Sequence, residues 1–250
     1  VAAITQATDL ARVRLLRRAL PEVPLLALTR IALPEIATVE ELGISLMFPG
    51  FDGGVPGSGA RRRWPLALPG TIVGPVVGRP QPADRRFVGL LRSAGIRASS
   101  RADMQAWLTV TSAWLGPLRG AIVASAQQKL ALAAKPDLIT VAARAARERL
   151  RLVRNAGFPL DGRCVRLLVL PELWAIARFR EIARSVLQAP DLPCLPSYEE
   201  AVVVGERLKV LAGELGVATP AADFLDGFTR EEAGGRSEHA AANAHEFGGR

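Results

Sequence analysis

In the stretch PSYEEAVVVGERLKVLAGELGVATP, Glu200 falls in line with Val204, Leu208, Leu211 and Leu215. Those spacings put all five side chains on one face of a helix. A carboxylate in line with an apolar stripe has two uses. Facing a cleft, it accepts hydrogen bonds from the hydroxyls of a ligand. At the start of the helix, it closes a Ser-x-x-Glu capping box with Ser197, a contribution of about 1 kcal/mol. The roles are compatible, and the sequence leaves both open.

Few other residues offer chemistry. Both histidines, His239 and His245, lie in the last segment, EEAGGRSEHAAANAHEFGGR. Their spacing does not suit a metal pair on a helix and no cysteine is near, so neither a metal site nor histidine acid–base catalysis is expected. Cys164 and Cys194 lack Cys-x-x-Cys spacing and read as free thiols of a reducing compartment. The run GGVPGSGARR could cradle an oxyanion on its amides. It has neither the Gly-x-Gly-x-x-Gly pattern nor the Gly-Lys-Ser/Thr ending of a phosphate loop, so a flexible loop is expected, with Asp52 a turn former. Trp107 and Trp114, seven apart, read as core rather than as a stacking platform. Arg144, Arg147, Arg149, Arg151 and Arg154 spread around one helix, facing solvent or paired with acids such as Glu148.

The chain has 250 residues, 49% of them hydrophobic, enough for a sizeable core. Its net charge of +8 comes from scattered arginines, dense only at Arg61 to Arg63. Aromatics make up 5% and no nucleic-acid reading motif is present, which argues against a nucleic-acid partner and for attraction of small anionic ligands. The start, VAAITQATDLAR, has no secretory pattern. The longest uncharged run, 64–78, is broken by prolines and glycines, so no membrane association is expected and the reading is a soluble cytoplasmic protein.

These side chains need elements to hold them. The first third alternates: a helix over 9–20, a strand over 24–31, a helix over 34–42 and a strand over 44–48. After the glycine-rich loop come strands near 64–68 and 71–77. The alternation predicts a parallel α/β sheet over residues 1–78. Residues 79–84, RPQPAD, read as a linker. From 85 to 228 the pattern is helical. Ser100 and Asp103 open a long helix whose inward row is Met104, Trp107, Thr111, Trp114, Leu118 and Ile122, with a kink expected at Pro117. Further helices cover 137–155, 163–187 with a break at Pro171, 197–215 and 220–228. Residues 229–250 lack apolar periodicity and are expected to be a disordered tail.

In order, FPGFDGG, FVGLLRSAGI, DMQAWLTVTSAWLGPLRGAI, ERLRLVRNAGFPL and EEAVVVGERLKVLAGELGVATP resemble the ketopantoate reductase (2-dehydropantoate 2-reductase) family over 44–225. The resemblance implies a Rossmann-like N-terminal domain and a helical C-terminal domain like that of 6-phosphogluconate dehydrogenase. It implies NADPH-dependent reduction of a small 2-oxo acid to a 2-hydroxy acid in the cleft between them, and a homodimer as a possible assembly. The family's opening strand, glycine-rich turn and following helix would lie before residue 1, making the Rossmann-like domain partial and NADPH binding weak or absent. The family lysine, two residues after a tryptophan like Trp107, corresponds to Thr109, and an asparagine four positions later corresponds to Ala113. An Asn-Gly pair would fall near Gln6 and Ala7. The family's active-site glutamate, twenty residues before the proline of Thr-Pro, corresponds to Glu200. A lysine at 109 would donate the proton and stabilise the alkoxide; threonine brings no charge. The alternative reading is therefore a catalytically impaired relative kept as a binding or dimerisation module.

Overall fold

Short apolar runs almost free of charge supply the strands of the first third. The computed structural model describes residues 2–4, 10–32, 40–50, 70–127, 136–187 and 195–247. Within these, β1 (Ala2–Ile4), β2 (Leu25–Leu28), β3 (Ser45–Phe48), β4 (Thr71–Pro75) and β5 (Ala98–Ser100) form one sheet in the order β1-β2-β3-β4-β5. Ala3 pairs with Leu26, and Ala27 with Leu46, both in parallel ladders. Ile72 pairs with Ser99, again parallel. The β3–β4 pair is antiparallel, Leu46 opposite Gly74, so the sheet is mixed rather than all-parallel as the alternation predicts. Alternation cannot reveal this reversal, because strand direction depends on the connection, and the β3–β4 connection carries no helical pattern. The expected strand at 64–68, the glycine-rich loop and most of the expected helix at 34–42 lie outside the described residues.

Two helices flank this sheet in sequence. Arg17, near the end of α1 (Leu10–Ala19), donates to the carbonyls of Leu42, Pro21, Val23 and Gly43. One guanidinium thus ties the exit of α1 to the entries of β2 and β3. The second helix, α2 (Pro82–Ser93), starts three residues before the expected 85. Proline at its first position and a box between Gln81 and Asp84 make residues 82–84 its first turn. Its inner face, Phe87 and Val88, buries against Leu26, Val73 and Ala98.

Gly74 is required by β4. A Cβ there would come 1.9 Å from the Arg101 carbonyl oxygen. Gly74→Ala is expected to cost about 1–3 kcal/mol, read as a lower urea midpoint. The comparison is Gly89→Ala in α2, where nothing lies within 4 Å of the new methyl and a gain of about 0.5–1 kcal/mol is expected.

The remaining described elements are helical: α3 (Met104–Gln127), α4 (Pro136–Asn155), α5 (Gly162–Val169), α6 (Glu172–Leu187), α7 (Tyr198–Leu215) and α8 (Pro220–Phe247). The chain divides into two compact units, the described residues up to Ser112 and those from Ala113 on. The division lies inside α3 rather than at 79–84. Ser100 ends β5 instead of opening α3; Asp103, at φ 47°, precedes the helix and accepts from the Gly78 amide. The expected inward row of α3 is buried from Met104 to Leu118, but so are Leu108, Val110, Ser112, Ala113 and Leu115. From Val110 to Leu118 it is therefore a helix buried all round, not an amphipathic one. Pro117 lies within it.

In the second unit α4 packs against α5, α6, α7 and α8. Ala142, Ala143, Ala145 and Ala146 are buried, small side chains that let the neighbouring helices approach. The break at Pro171 separates α5 from α6 as the sequence implies. Over residues expected as a tail, α8 continues to Phe247 and takes in His239 and His245. The alanines and glutamates of that segment carry high intrinsic helix propensity, which needs no apolar stripe.

Candidate functional site

Thr109 lies in the second turn of α3, in the first unit, half-buried. Its hydroxyl donates to the Gln105 carbonyl at 2.9 Å, the back-bond threonine commonly makes inside a helix. Ser112 Oγ does the same toward Leu108, at 2.7 Å. Trp107, the tryptophan that placed Thr109, is buried, as expected for a core residue. It meets Phe48 edge-on at 5.0 Å and carries the Arg101 guanidinium 5.7 Å from its ring centre. Position 109 thus sits on a helix fixed firmly to the end of β3. It offers a neutral hydroxyl whose proton is already engaged. Ala113, fully buried, adds no polar side chain.

Glu200 lies in the second unit, at the third position of α7. Its Oε2 accepts from the Ser197 amide at 2.7 Å, and its own amide donates to Ser197 Oγ at 3.2 Å. The capping box is therefore formed, and it accounts for a carboxylate at the head of the apolar row. That row is buried at Val204 and Leu208 but exposed at Leu215. The start of α7 is anchored by a residue the sequence reading did not single out. Arg119 donates from Nε to the Pro196 carbonyl at 2.8 Å and lies 5.1 Å from the Tyr198 ring centre. A separation of 77 residues leaves no local signal for this contact. Ser197→Ala is expected to cost about 0.5–2 kcal/mol, and Glu200→Gln less, in urea unfolding.

The carboxyl edge of parallel strands is where doubly wound sheets take dinucleotides. Here that edge is made by Thr29 after β2 and by Pro49 and Gly50 after β3. Thr29 Oγ1 donates to the Ile31 carbonyl at 2.7 Å and accepts from the Ile31 amide, folding the chain into a tight turn. The Gly50 amide donates to Thr71 Oγ1 at 3.2 Å, and a Cβ on Gly50 would fall 2.2 Å from the Thr71 nitrogen. Gly50 thus packs directly against the start of β4, where a side chain has no room. Gln6 and Ala7 lie outside the described residues, as does Cys194, while Cys164 is buried and in no disulfide.

The second unit holds a buried ion pair, in which one arginine of α4 takes the expected pairing with an acid, though with Asp226 and away from solvent. Arg149 is 2% exposed, and its Nη2 donates to both oxygens of Asp226 on α8. Its Nη1 is buried without a hydrogen-bond partner. Arg144, by contrast, is exposed and pairs with Glu172, while Arg147 donates to the Leu168 and Leu170 carbonyls. Glu148 accepts from the amides of Ala221 and Ala222 and so caps α8. Burial pushes the Asp226 carboxyl above its ordinary 3.8, with Asp223 adding to the rise and Arg149 and Arg230 opposing it. A carboxyl raised by folding ionises first in the unfolded chain. Its contribution to stability is therefore lost as pH climbs from the ordinary value through the folded one. Asp226→Asn is expected to abolish this acid-side slope of the urea midpoint.

Among the described residues no group of three His, Cys, Asp or Glu side chains could hold a metal ion, and no helix is long and apolar enough to cross a membrane. A shallow groove of about 500 Å³ at the junction of α7 and α8 is lined by Lys209, Thr219 and Asp223 among others, and includes neither Thr109 nor Glu200.

No protein-family profile matches the chain, and no curated protein resembles it in sequence. Solved structures match it in fold. A protein designated a ketopantoate reductase, from Ralstonia solanacearum MolK2, aligns over 94% of this chain and 76% of its own, with a TM-score of 0.61 and 14% identity. D-mandelate dehydrogenase with NADH aligns over 92% of this chain and 77% of its own, with a TM-score of 0.58 and 13% identity. The same dehydrogenase with NADH and anilino(oxo)acetate gives 0.57 at 12% identity, over 92% and 76%. At these identities the likeness is one of fold: a Rossmann-like sheet followed by a helical domain.

Proposed function

We propose that the chain is an oxidoreductase of the 2-oxo acid reductase type, using a nicotinamide cofactor to reduce a small 2-oxo acid to a 2-hydroxy acid. The observation that carries this reading is the fold similarity, over 92% of the chain, to a dehydrogenase structure holding both NADH and an oxoacetate. The ordered sequence resemblance to ketopantoate reductases supports it independently and favours NADPH as the reductant. The bound cofactor would supply the hydride. The chain's own contribution at position 109 is a hydrogen-bonding hydroxyl without charge, and at position 200 a carboxylate already committed to its helix.

Thr109 also supports a second reading, a relative with impaired catalysis acting as a binding or dimerisation module. Hydride reaching a carbonyl carbon leaves an alkoxide, which a cationic donor stabilises far better than a neutral hydroxyl. The test is oxidation of NADPH and of NADH by a panel of 2-oxo acids, followed by the nicotinamide absorbance. Slow turnover of one acid supports the reductase. Cofactor or oxo-acid binding by calorimetry without turnover supports the impaired relative, and neither binding nor turnover removes both.

A further inference from the structure

Between residues 79 and 101 the chain carries six arginines, at 79, 85, 86, 92, 97 and 101, and a single acid, Asp84. Asp84 is 1% exposed and faces the interior, whereas all six arginines are exposed. Arg92 donates from Nε to the Ala98 carbonyl, and Arg101 lies over Trp107. Among the described residues, Arg79, Arg85, Arg86 and Arg97 have no ion-pair partner. The second unit behaves differently: Arg144, Arg149, Arg178 and Arg230 pair with Glu172, Asp226, Glu181 and Glu206. Of the six arginines in this stretch, Arg85, Arg86 and Arg92 lie on α2, and Arg79 and Arg97 flank it in sequence.

We propose that the outer face of α2, with the flanks of β5, is a docking surface for an acidic segment of a partner protein. The inner face of α2 is fixed on the sheet by Phe87 and Val88, so Arg85, Arg86 and Leu90 point outward together. Leu90 is 57% exposed and stands one turn beyond Arg86. An exposed leucine among free guanidinium groups suits an acidic helix with an apolar stripe: the forks of the arginines match carboxylates in pairs, and the leucine supplies an anchor. Nucleic acid fits less well. The only aromatic in this stretch, Phe87, is buried, which leaves no surface for base stacking. A lipid surface would need more exposed apolar area than one leucine gives.

The surface does not depend on the oxidoreductase assignment, and its test is separate. The probe is a labelled synthetic helix with glutamates on one face and leucines on the other, titrated with the protein and followed by fluorescence anisotropy. Binding should weaken steeply with salt, fall roughly tenfold or more in Arg85→Glu/Arg86→Glu, and fall several-fold in Leu90→Ser. Both variants lie on exposed positions, and an unchanged urea midpoint checks their folding. Arg97→Glu provides the same test from β5 should the double variant unfold. Peptide binding indifferent to these substitutions overturns the proposal. So does tighter binding to duplex DNA, or to phosphatidylserine vesicles, than to the peptide.

Discussion

Thr109→Lys is expected to raise the rate of 2-oxo acid reduction by roughly 10²- to 10⁴-fold at saturating nicotinamide cofactor. The physical basis is the charge that appears on the carbonyl oxygen as the hydride arrives. A threonine hydroxyl can donate a hydrogen bond, but here its proton is held by the Gln105 carbonyl, and donating elsewhere means breaking that bond. An ammonium group delivers a proton and a positive charge together. Position 109 is half-buried, so the lysine stem can lie along the helix with its head toward solvent or ligand. Thr109→Gln, of similar reach and no charge, should leave the rate near that of the parent. The pH profile supplies a second reading: a gain due to an ammonium donor declines as pH rises through the lysine pKa, while a gain from altered packing does not. An unchanged rate in Thr109→Lys, with substrate and cofactor both saturating, would remove this position from the site.

The helical half was the more legible from sequence, and the reasons are local. Ser197 and Glu200 are three residues apart, so their reciprocal capping follows from spacing alone, as does the stop at Gly216 with φ 62°. The interruption at Pro171 is written in one residue. The reversed direction of β4 depends on a connection with no periodic pattern, and the helical course of residues 229–247 depends on propensity rather than on an apolar face. The contacts that organise the second unit join distant positions: Arg119 with Pro196, Glu148 with Ala221 and Ala222, and Arg149 with Asp226. An arginine on a helix of alternating arginines reads as solvated until the fold turns it inward. Position 109 was found by resemblance, and Glu200 by its place in the apolar row before the resemblance; burial and hydrogen bonding then showed what each side chain does with its local backbone.

The largest stability effects are expected at Arg149 and Asp226, and they should be unequal. Asp226→Ala leaves a guanidinium 2% exposed with neither an acid nor a partner for its Nη1, and is expected to cost about 3–5 kcal/mol in urea unfolding. Arg149→Met should cost less. The Asp226 side chain is 18% exposed, and burial already raises its pKa, so it can take a proton or reach water when its counter-ion is removed. Taking both charges out of water is expensive, and the orphaned Nη1 adds a further penalty, so a buried pair of this kind is a weak source of stability. Replacing both, as in Arg149→Met/Asp226→Leu, is therefore expected to recover most of the loss or to exceed the parent by about 1–4 kcal/mol. The pair fills the space beside two glycines: a Cβ on Gly116 would come 2.7 Å from Arg149 Nη1, and one on Gly205 2.8 Å from an Asp226 oxygen. A double variant less stable than both single ones would show that the charges hold the second unit together, and the account of Asp226 as a burdened carboxylate would fall with it.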